Sequence, residues 1–253
     1  MSMPTSSVHL VIPCYQESGR IGAFLPDLCR AMQVFAGRVR IQVVEDGSSA
    51  AEVQRMREIV ERLRVDFPGL LPLKVLDRNL GKGGAVYAGW ADHAGADWLA
   101  FVDADGSCSA REVARLLAMR PDEAELPTAL FASRVKMLGR KVERLLKRHL
   151  LGRVYATLVS ELLNVPVYDS QCGLKLLPRL AFEAIAPRLQ IMGFAFDVEL
   201  MAALLDTGCL IQEVPIDWQE IPGGKVSLLR DSWRMACDVW DVRCRRPIWR
   251  QGA

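Results

Sequence analysis

A chain of 253 residues, 51% of them hydrophobic, has ample apolar material for a buried core and enough length for one large domain or two small ones. A net charge of only +2 excludes the global basic field of a nucleic-acid binder, and seven scattered cysteines without a CxxC pair exclude a disulfide framework or a zinc site and suit a reducing cytoplasm. No stretch approaches the roughly 20 mostly apolar residues of a membrane-spanning helix, and no basic segment precedes a hydrophobic run as in a signal peptide.

Along the first half, strand-like and helix-like patterns alternate. Val8–Pro13 is a short apolar run, and Ile21–Phe35 carries Ile21, Phe24, Leu25, Leu28 and Met32 at helical spacing. Val39–Val44 is strand-like and ends in Glu45-Asp46-Gly47-Ser48-Ser49; Glu52–Val65 is a charged helix. Leu73–Leu76 predicts a strand, Asn79–Gly84 a glycine-rich turn, Ala85–Ala94 a helix and Trp98–Val102 a strand. The second half predicts a helix at Arg111–Met119, a strand at Thr128–Ser133 and a long helical stretch in two pieces from Lys136 to Leu163. A helix at Phe196–Leu205, a strand at Leu210–Pro215 and a last helix at Leu228–Arg243 follow. The alternation predicts an α/β fold with a mostly parallel central sheet flanked by helices. With no repeat or linker, one domain over 1–253 is expected, 1–127 forming a nucleotide-binding half and 128–253 an acceptor-binding half with amphipathic helices near 136–163 and 228–243.

Sheets of this kind bind ligands at the carboxyl ends of their strands. Tyr15-Gln16-Glu17, Asp46-Gly47-Ser48 and Asp103-Ala104-Asp105 all fall there. The spacing of Asp103 and Asp105 fits a strand-end turn, and equally a pair of hard oxygen ligands for Mg²⁺ or Mn²⁺ against a diphosphate. Asp46 fits either a turn before a capped helix or a hydrogen bond to a base or ribose. Lys82, in Asn79-Leu80-Gly81-Lys82-Gly83-Gly84, stands where helix-terminal amides attract phosphate, but the segment is neither a P-loop nor a dinucleotide fingerprint. Eight Lys/Arg lie between Arg134 and Arg153 beside a single acid, Glu143. Arg140, Arg144, Lys147 and Arg148 would share one helical side, opposite Val142, Leu145, Leu146 and Leu150. Six arginines accompany Trp233, Trp240 and Trp249 between Arg230 and Arg250. Such helices suit a membrane headgroup region, an oligomer interface or a plain solvated face.

These segments together resemble family 2 glycosyltransferases of GT-A fold, and within them the polyprenyl-phosphate (dolichyl-type) sugar transferases, the glucosyl branch more than the mannosyl one. The resemblance runs from Val8 to about Asp241. It rests on Val11–Glu17, Glu45–Ser48, Asn79–Ala85, Asp103–Asp105, Ser133-Arg134, Asp169–Lys175, Phe196–Leu200 and Trp218–Ile221 with Lys225. It implies that Pro13, Tyr15, Glu17 and Asp46 cradle the uridine, that Lys82 sits near the nucleotide, and that Asp103 and Asp105 hold the metal. It further implies that Arg134 meets the acceptor phosphate, that Gln171 faces the transferred sugar, and that Lys225 reaches the diphosphate from a loop containing Gly223-Gly224. Asp197 matches the base of soluble-acceptor relatives, or orients a sugar hydroxyl or Arg134. The chain departs from the family at Gln16, where Asn is usual, at Glu45, where a second Asp is common, and at Ser107, where some mannosyl enzymes place Gln as a further ligand; a water-rich metal shell follows.

The activity so implied is an inverting, metal-dependent transfer of glucose from UDP-glucose to a polyprenyl phosphate, by an enzyme peripheral to the inner face of a membrane. Two rivals remain: a GT-A transferase using GDP-mannose or a soluble acceptor, and a membrane-associated protein that binds nucleotide-sugar without turnover.

Overall fold

The computed structural model describes residues 4–121, 125–143, 146–221 and 230–251. In chain order the strands and helices are β1 (Val8–Cys14), α1 (Ser18–Met32), β2 (Val39–Glu45), α2 (Ala50–Arg64), β3 (Lys74–Val75), α3 (Lys82–Trp90), β4 (Trp98–Val102), α4 (Ala110–Ala118) and β5 (Thr128–Ser133). They continue with β6 (Val142–Glu143), α5 (Leu146–Leu163), β7 (Leu174–Pro178), α6 (Arg179–Ile185), α7 (Phe196–Asp206), β8 (Leu210–Pro215), β9 (Trp218–Gln219) and α8 (Arg230–Gln251).

Seven strands form one sheet in the order β3-β2-β1-β4-β7-β5-β8. β1, β2, β3 and β4 run parallel, and β5 pairs parallel with β8. Both faces of the sheet's centre are covered, so β1 and β4 are apolar at nearly every position rather than alternating, whereas β2 carries Arg40 and Gln42 and the edge strand β8 is half exposed. The pleat still sorts them: Val8, Leu10 and Ile12 point with Trp98, Ala100 and Val102 into the layer of α1, α2 and α4. Val11, Leu99 and Phe101 point into the layer of α3, α5, α6, α7 and α8. Pro13 is tolerated inside β1 because pairing with β4 ends at Val11, so its missing N–H breaks no bond on that side.

β7 lies antiparallel to β4 on one side and to β5 on the other. That single reversal decides where the site is. The ends of β1, β2, β4 and β5 share one rim, and an antiparallel strand presents its beginning there. The loop leading into β7, residues 169–173, therefore meets the residues that follow β4 and β5.

Two expectations are corrected. The helix expected from Lys136 begins only at Leu146. Gly139 has φ +83°, which ends any helix there, and Val142 pairs with Trp218 in the small β6–β9 ribbon. Arg140 is consequently on no helical face; it reaches Glu112 at 3.5 Å and Asp217 at 4.0 Å. Arg144 and the side chains of Lys147 and Arg148 lie outside the described residues. The apolar run of α5 serves the core through Ala156, Val159 and Leu163, leaving Val154 and Leu158 exposed. On α8, Trp249 is buried rather than at a surface, and two arginines turn inward: Arg245 to Glu199 (2.8 Å) and Arg246 to Asp206 (2.7 Å). Trp233 and Trp240 stay exposed. β7 and α6 were not expected at all.

Candidate active site

The rim begins at the end of β1. Pro13 is buried, Tyr15 is exposed, and Glu17 accepts Arg20 Nε at 2.6 Å. Between them Gln16 takes a left-handed φ of 55°, a conformation that Asn adopts more readily than Gln, and its amide donates to Ser48 Oγ at 2.9 Å.

At the end of β2, Asp46 is buried and accepts from the Leu80 amide at 2.7 Å and the Gly81 amide at 2.9 Å. Burial pushes its carboxyl above the usual range, against the lowering effect of those two amides. Asp46 thus fixes the turn into α3, which starts at Lys82, three residues before the predicted Ala85. Ser49 occupies the N-cap of α2 without a side-chain bond.

β4 delivers the carboxylates. The Asp103 amide donates to the Gly173 carbonyl at 2.9 Å, and Asp103 Oδ1 is 2.7 Å from Lys82 Nζ. Asp105 accepts from the Ser107 amide at 2.9 Å, and burial together with the Asp103 charge raises its carboxyl pKa. Two carboxylates that repel one another inside a partly covered pocket are a donor set for a hard divalent cation. Gly173 is drawn hard against this pair: a Cβ there would stand 2.0 Å from Asp103 Oδ2. These residues fit a hard divalent cation. Among the described residues no cluster of three or more His, Cys, Asp or Glu competes as a metal site.

Across Gly173 lies a second constellation. Arg134, the first residue after β5, gives Nε and Nη2 to Asp169, each at 2.7 Å, and its amide donates to the same carboxylate at 2.9 Å. The guanidinium rests 5.0 Å from the Trp218 ring. Asp169 is seated in turn, its amide donating to Glu213 Oε1 at 2.9 Å. Gln171 points to α8, Nε2 lying 3.8 Å from Met235 Sδ.

Behind both stands a buried ion pair. Lys175, wholly buried within β7, donates to the Cys172 carbonyl at 2.8 Å and lies 3.1 Å from Asp197 Oδ1. Burial raises the Asp197 carboxyl, opposed by Lys175 and Lys82. Lys82 itself is affected first by burial, which would depress it, yet Asp103 and Asp197 together lift it above the usual lysine value.

The structure thus brings Pro13, Tyr15, Glu17, Asp46, Lys82, Asp103, Asp105, Arg134 and Gln171 to one rim, with Asp197 beneath it; Lys225 lies outside the described residues. The segment Asp169–Lys175 was expected at the site, but the separate roles of Asp169, Gly173 and Lys175 within it were not foreseen. A lysine inside the apolar run Leu174–Pro178 was the available signal, since a charge there must either face solvent or find a buried partner.

An α/β sheet of this order, carrying a carboxylate pair at its switch point, defines the nucleotide-sugar transferases of GT-A architecture, and comparison with known proteins agrees. The family described as Glycosyl transferase family 2 matches residues 9–183, and the chain belongs to it: this protein is a glycosyltransferase. A dolichyl-phosphate beta-glucosyltransferase of Saccharomyces cerevisiae is 32% identical over 248 residues, covering 93% of this chain and 74% of the relative. One of Dictyostelium discoideum is 28% identical, covering 96% and 76%. Among solved structures, glucosyl-3-phosphoglycerate synthase from Mycobacterium tuberculosis in complex with UDP shares the fold at TM-score 0.64, 15% identity and coverage of 95% and 80%. A mannosyltransferase from Pyrobaculum calidifontis in complex with GDP-Man and Mn²⁺ does so at 0.63, 15% identity and coverage of 98% and 66%.

Proposed function

We propose that this enzyme moves glucose from UDP-glucose to a dolichyl-type polyprenyl phosphate, with inversion, at a membrane surface. The observation that carries the reading is the loop 169–173. It joins a carboxylate pair suited to a metal-bound diphosphate, on one side of Gly173, to an arginine suited to an acceptor phosphate, on the other. The relatives named above supply the sugar and the lipid.

In this reading Pro13, Tyr15 and Glu17 line the uridine pocket, and Asp46 holds the Leu80 and Gly81 amides that shape its floor. Asp103 and Asp105 would hold Mg²⁺ or Mn²⁺, which when bound supplies positive charge to the departing diphosphate. Arg134, kept in orientation by Asp169, offers Nη1 to the acceptor phosphate, and Gln171 faces the sugar. A phosphate oxygen attacks the anomeric carbon as the bond to UDP breaks. The phosphate is already anionic, so no proton has to be removed. Catalysis is then positioning plus electrostatic stabilisation. Asp197 is 1% exposed and committed to Lys175, which suits a supporting role better than that of a base.

Among the described residues no helix is long and apolar enough to cross a membrane. The lipid side would be met by Trp233 and Trp240 of α8 with Val154 and Leu158 of α5, all exposed. Met235, which Gln171 approaches at 3.8 Å, lies on the core-facing side of the same helix.

The test supplies UDP-glucose with a short prenyl phosphate in detergent, and in parallel with soluble phosphorylated and sugar acceptors. Glucosyl transfer to the prenyl phosphate, lost in EDTA and restored by Mn²⁺ or Mg²⁺, is expected. Transfer only to a soluble acceptor, or full activity in EDTA, would refute the reading.

A further inference from the structure

Lys82 occupies an unusual place for a residue read as a nucleotide contact. Its ammonium lies 2.7 Å from Asp103 Oδ1, over the rings of Phe101 (5.4 Å) and Phe196 (5.9 Å). It therefore covers one of the two carboxylates that a divalent ion would use. Behind it Asp197, buried at 1% exposure, attracts the same ammonium. Asp197 Oδ1 lies at ion-pair distance from Lys175 but makes no aligned hydrogen bond among the described residues. Lys82 is thus bonded to Asp103 and held over the Phe196 ring, next in sequence to Asp197.

We propose that Lys82 is a stand-in cation: it neutralises Asp103 until a divalent ion arrives with the nucleotide and then passes its ammonium to the diphosphate, Asp197 and the two rings keeping it in the pocket. This rests on the reading of Asp103 as a metal ligand. A free ion reaching Asp103 must displace the ammonium while leaving it beside a doubly charged neighbour. A nucleoside diphosphate brings the negative charge that receives it. Metal and nucleotide then assist each other's binding, and by linkage they do so equally. The distinguishing consequence is one of opposite signs. Without the ammonium, free metal should bind more tightly and UDP more weakly. A lysine that served only to anchor diphosphate, or only to stabilise the fold, would not improve the affinity for free metal.

The test titrates Mn²⁺ into the full chain, with and without UDP, by electron paramagnetic resonance and calorimetry, comparing wild type with Lys82→Met, Lys82→Gln and Asp103→Asn. Wild type should bind Mn²⁺ at least about tenfold more tightly with UDP than without. Each neutral variant at 82 should bind free Mn²⁺ about tenfold or more tighter than wild type, with the UDP effect reduced to less than about threefold. Neutral variants that bind free Mn²⁺ no better than wild type, with binding abolished in Asp103→Asn, overturn the stand-in role and leave the metal reading intact. An Asp103→Asn protein that binds Mn²⁺ like wild type overturns both. Should both Lys82 variants fail to fold, the wild-type titrations decide: equal Mn²⁺ affinity with and without UDP refutes the proposal.

Discussion

Gly173→Ala separates the site from the fold with one methyl group. The added Cβ would stand 2.0 Å from Asp103 Oδ2, 2.3 Å from Cγ and 2.9 Å from Oδ1, where ordinary contact begins near 3.4 Å. The shortfall exceeds 1 Å, and the methyl meets a side-chain carboxylate rather than backbone. Asp103 is on the rim and its side chain retains 28% exposure, so it can swing outward while β4 and β7 stay paired. The stability cost is then the loss of the Lys82 contact and local overpacking, about 1 kcal/mol. A functional group displaced by 1 Å costs about a hundredfold in rate, or roughly 2.7 kcal/mol of barrier. The expected result is a kcat/KM for UDP-glucose and prenyl phosphate down about a hundredfold, with a melting temperature within a few degrees of wild type. The assay is transfer to the prenyl phosphate beside a thermal melt. An intact Gly173→Ala protein turning over within threefold of wild type would show that Asp103 is not held in a position that catalysis needs.

Lys175→Met leaves Asp197 buried opposite a neutral side chain, and should cost about 3–5 kcal/mol in denaturant unfolding; adding Asp197→Leu should recover part of that loss, and additive losses would refute the pairing. His9, at 1% exposure within β1, has only its Nε2 engaged among the described residues, donating to the Gly89 carbonyl at 3.1 Å, and burial lowers its pKa to about 4. The unfolded chain takes up this proton near pH 6.5 and the folded one only near pH 4, so stability is present above the former and lost as pH falls towards the latter, by roughly 3 kcal/mol. His9→Gln should flatten that part of the stability–pH curve; parallel curves for the two proteins would refute it. Arg134→Ala should weaken use of the prenyl phosphate more than binding of UDP, measured as separate KM and Kd; equal losses would place Arg134 in the donor pocket.

The half of the fold built from regular β–α alternation was legible because burial on both faces makes the central strands β1 and β4 nearly continuous apolar runs. Trp98–Val102 and Thr128–Ser133 fall where they were expected, to the residue. Asp103 and Asp105 stood out because charges directly after such a run mark a strand end. β7 was hidden by Lys175: a charge amid Leu174, Leu176 and Leu177 reads as solvent-facing until its partner Asp197, 22 positions later, is known. The helix expected from Lys136 failed for the same non-local reason. Its charges suggested an amphipathic face, but Arg140 is held by Glu112 and Asp217, and Val142 pairs with Trp218. Likewise, the arginines near the C-terminus looked uniformly external although Arg245 and Arg246 hold carboxylates of α7. Motif spacing identifies which residues carry chemistry; it does not reveal which charges are already spent inside the molecule.

That distinction bears on the acceptor. A transferase acting on a neutral hydroxyl needs a carboxylate that can reach it and remove its proton. Asp197, the carboxylate that family likeness would put forward, lies beneath the rim with 1% exposure, between Lys175 and Lys82. Asp169 is engaged with Arg134, and Asp103 with Lys82. What the rim across Gly173 presents is a guanidinium, backed by Trp218 and oriented by a carboxylate that is itself fixed by Glu213. Such a group is of little use to a sugar hydroxyl as a base and well suited to a phosphate already carrying its charge. Arg134 is itself paired with Asp169, so the charge in the site is compatible with the proposed phosphorylated acceptor, and it is the relatives that point to it.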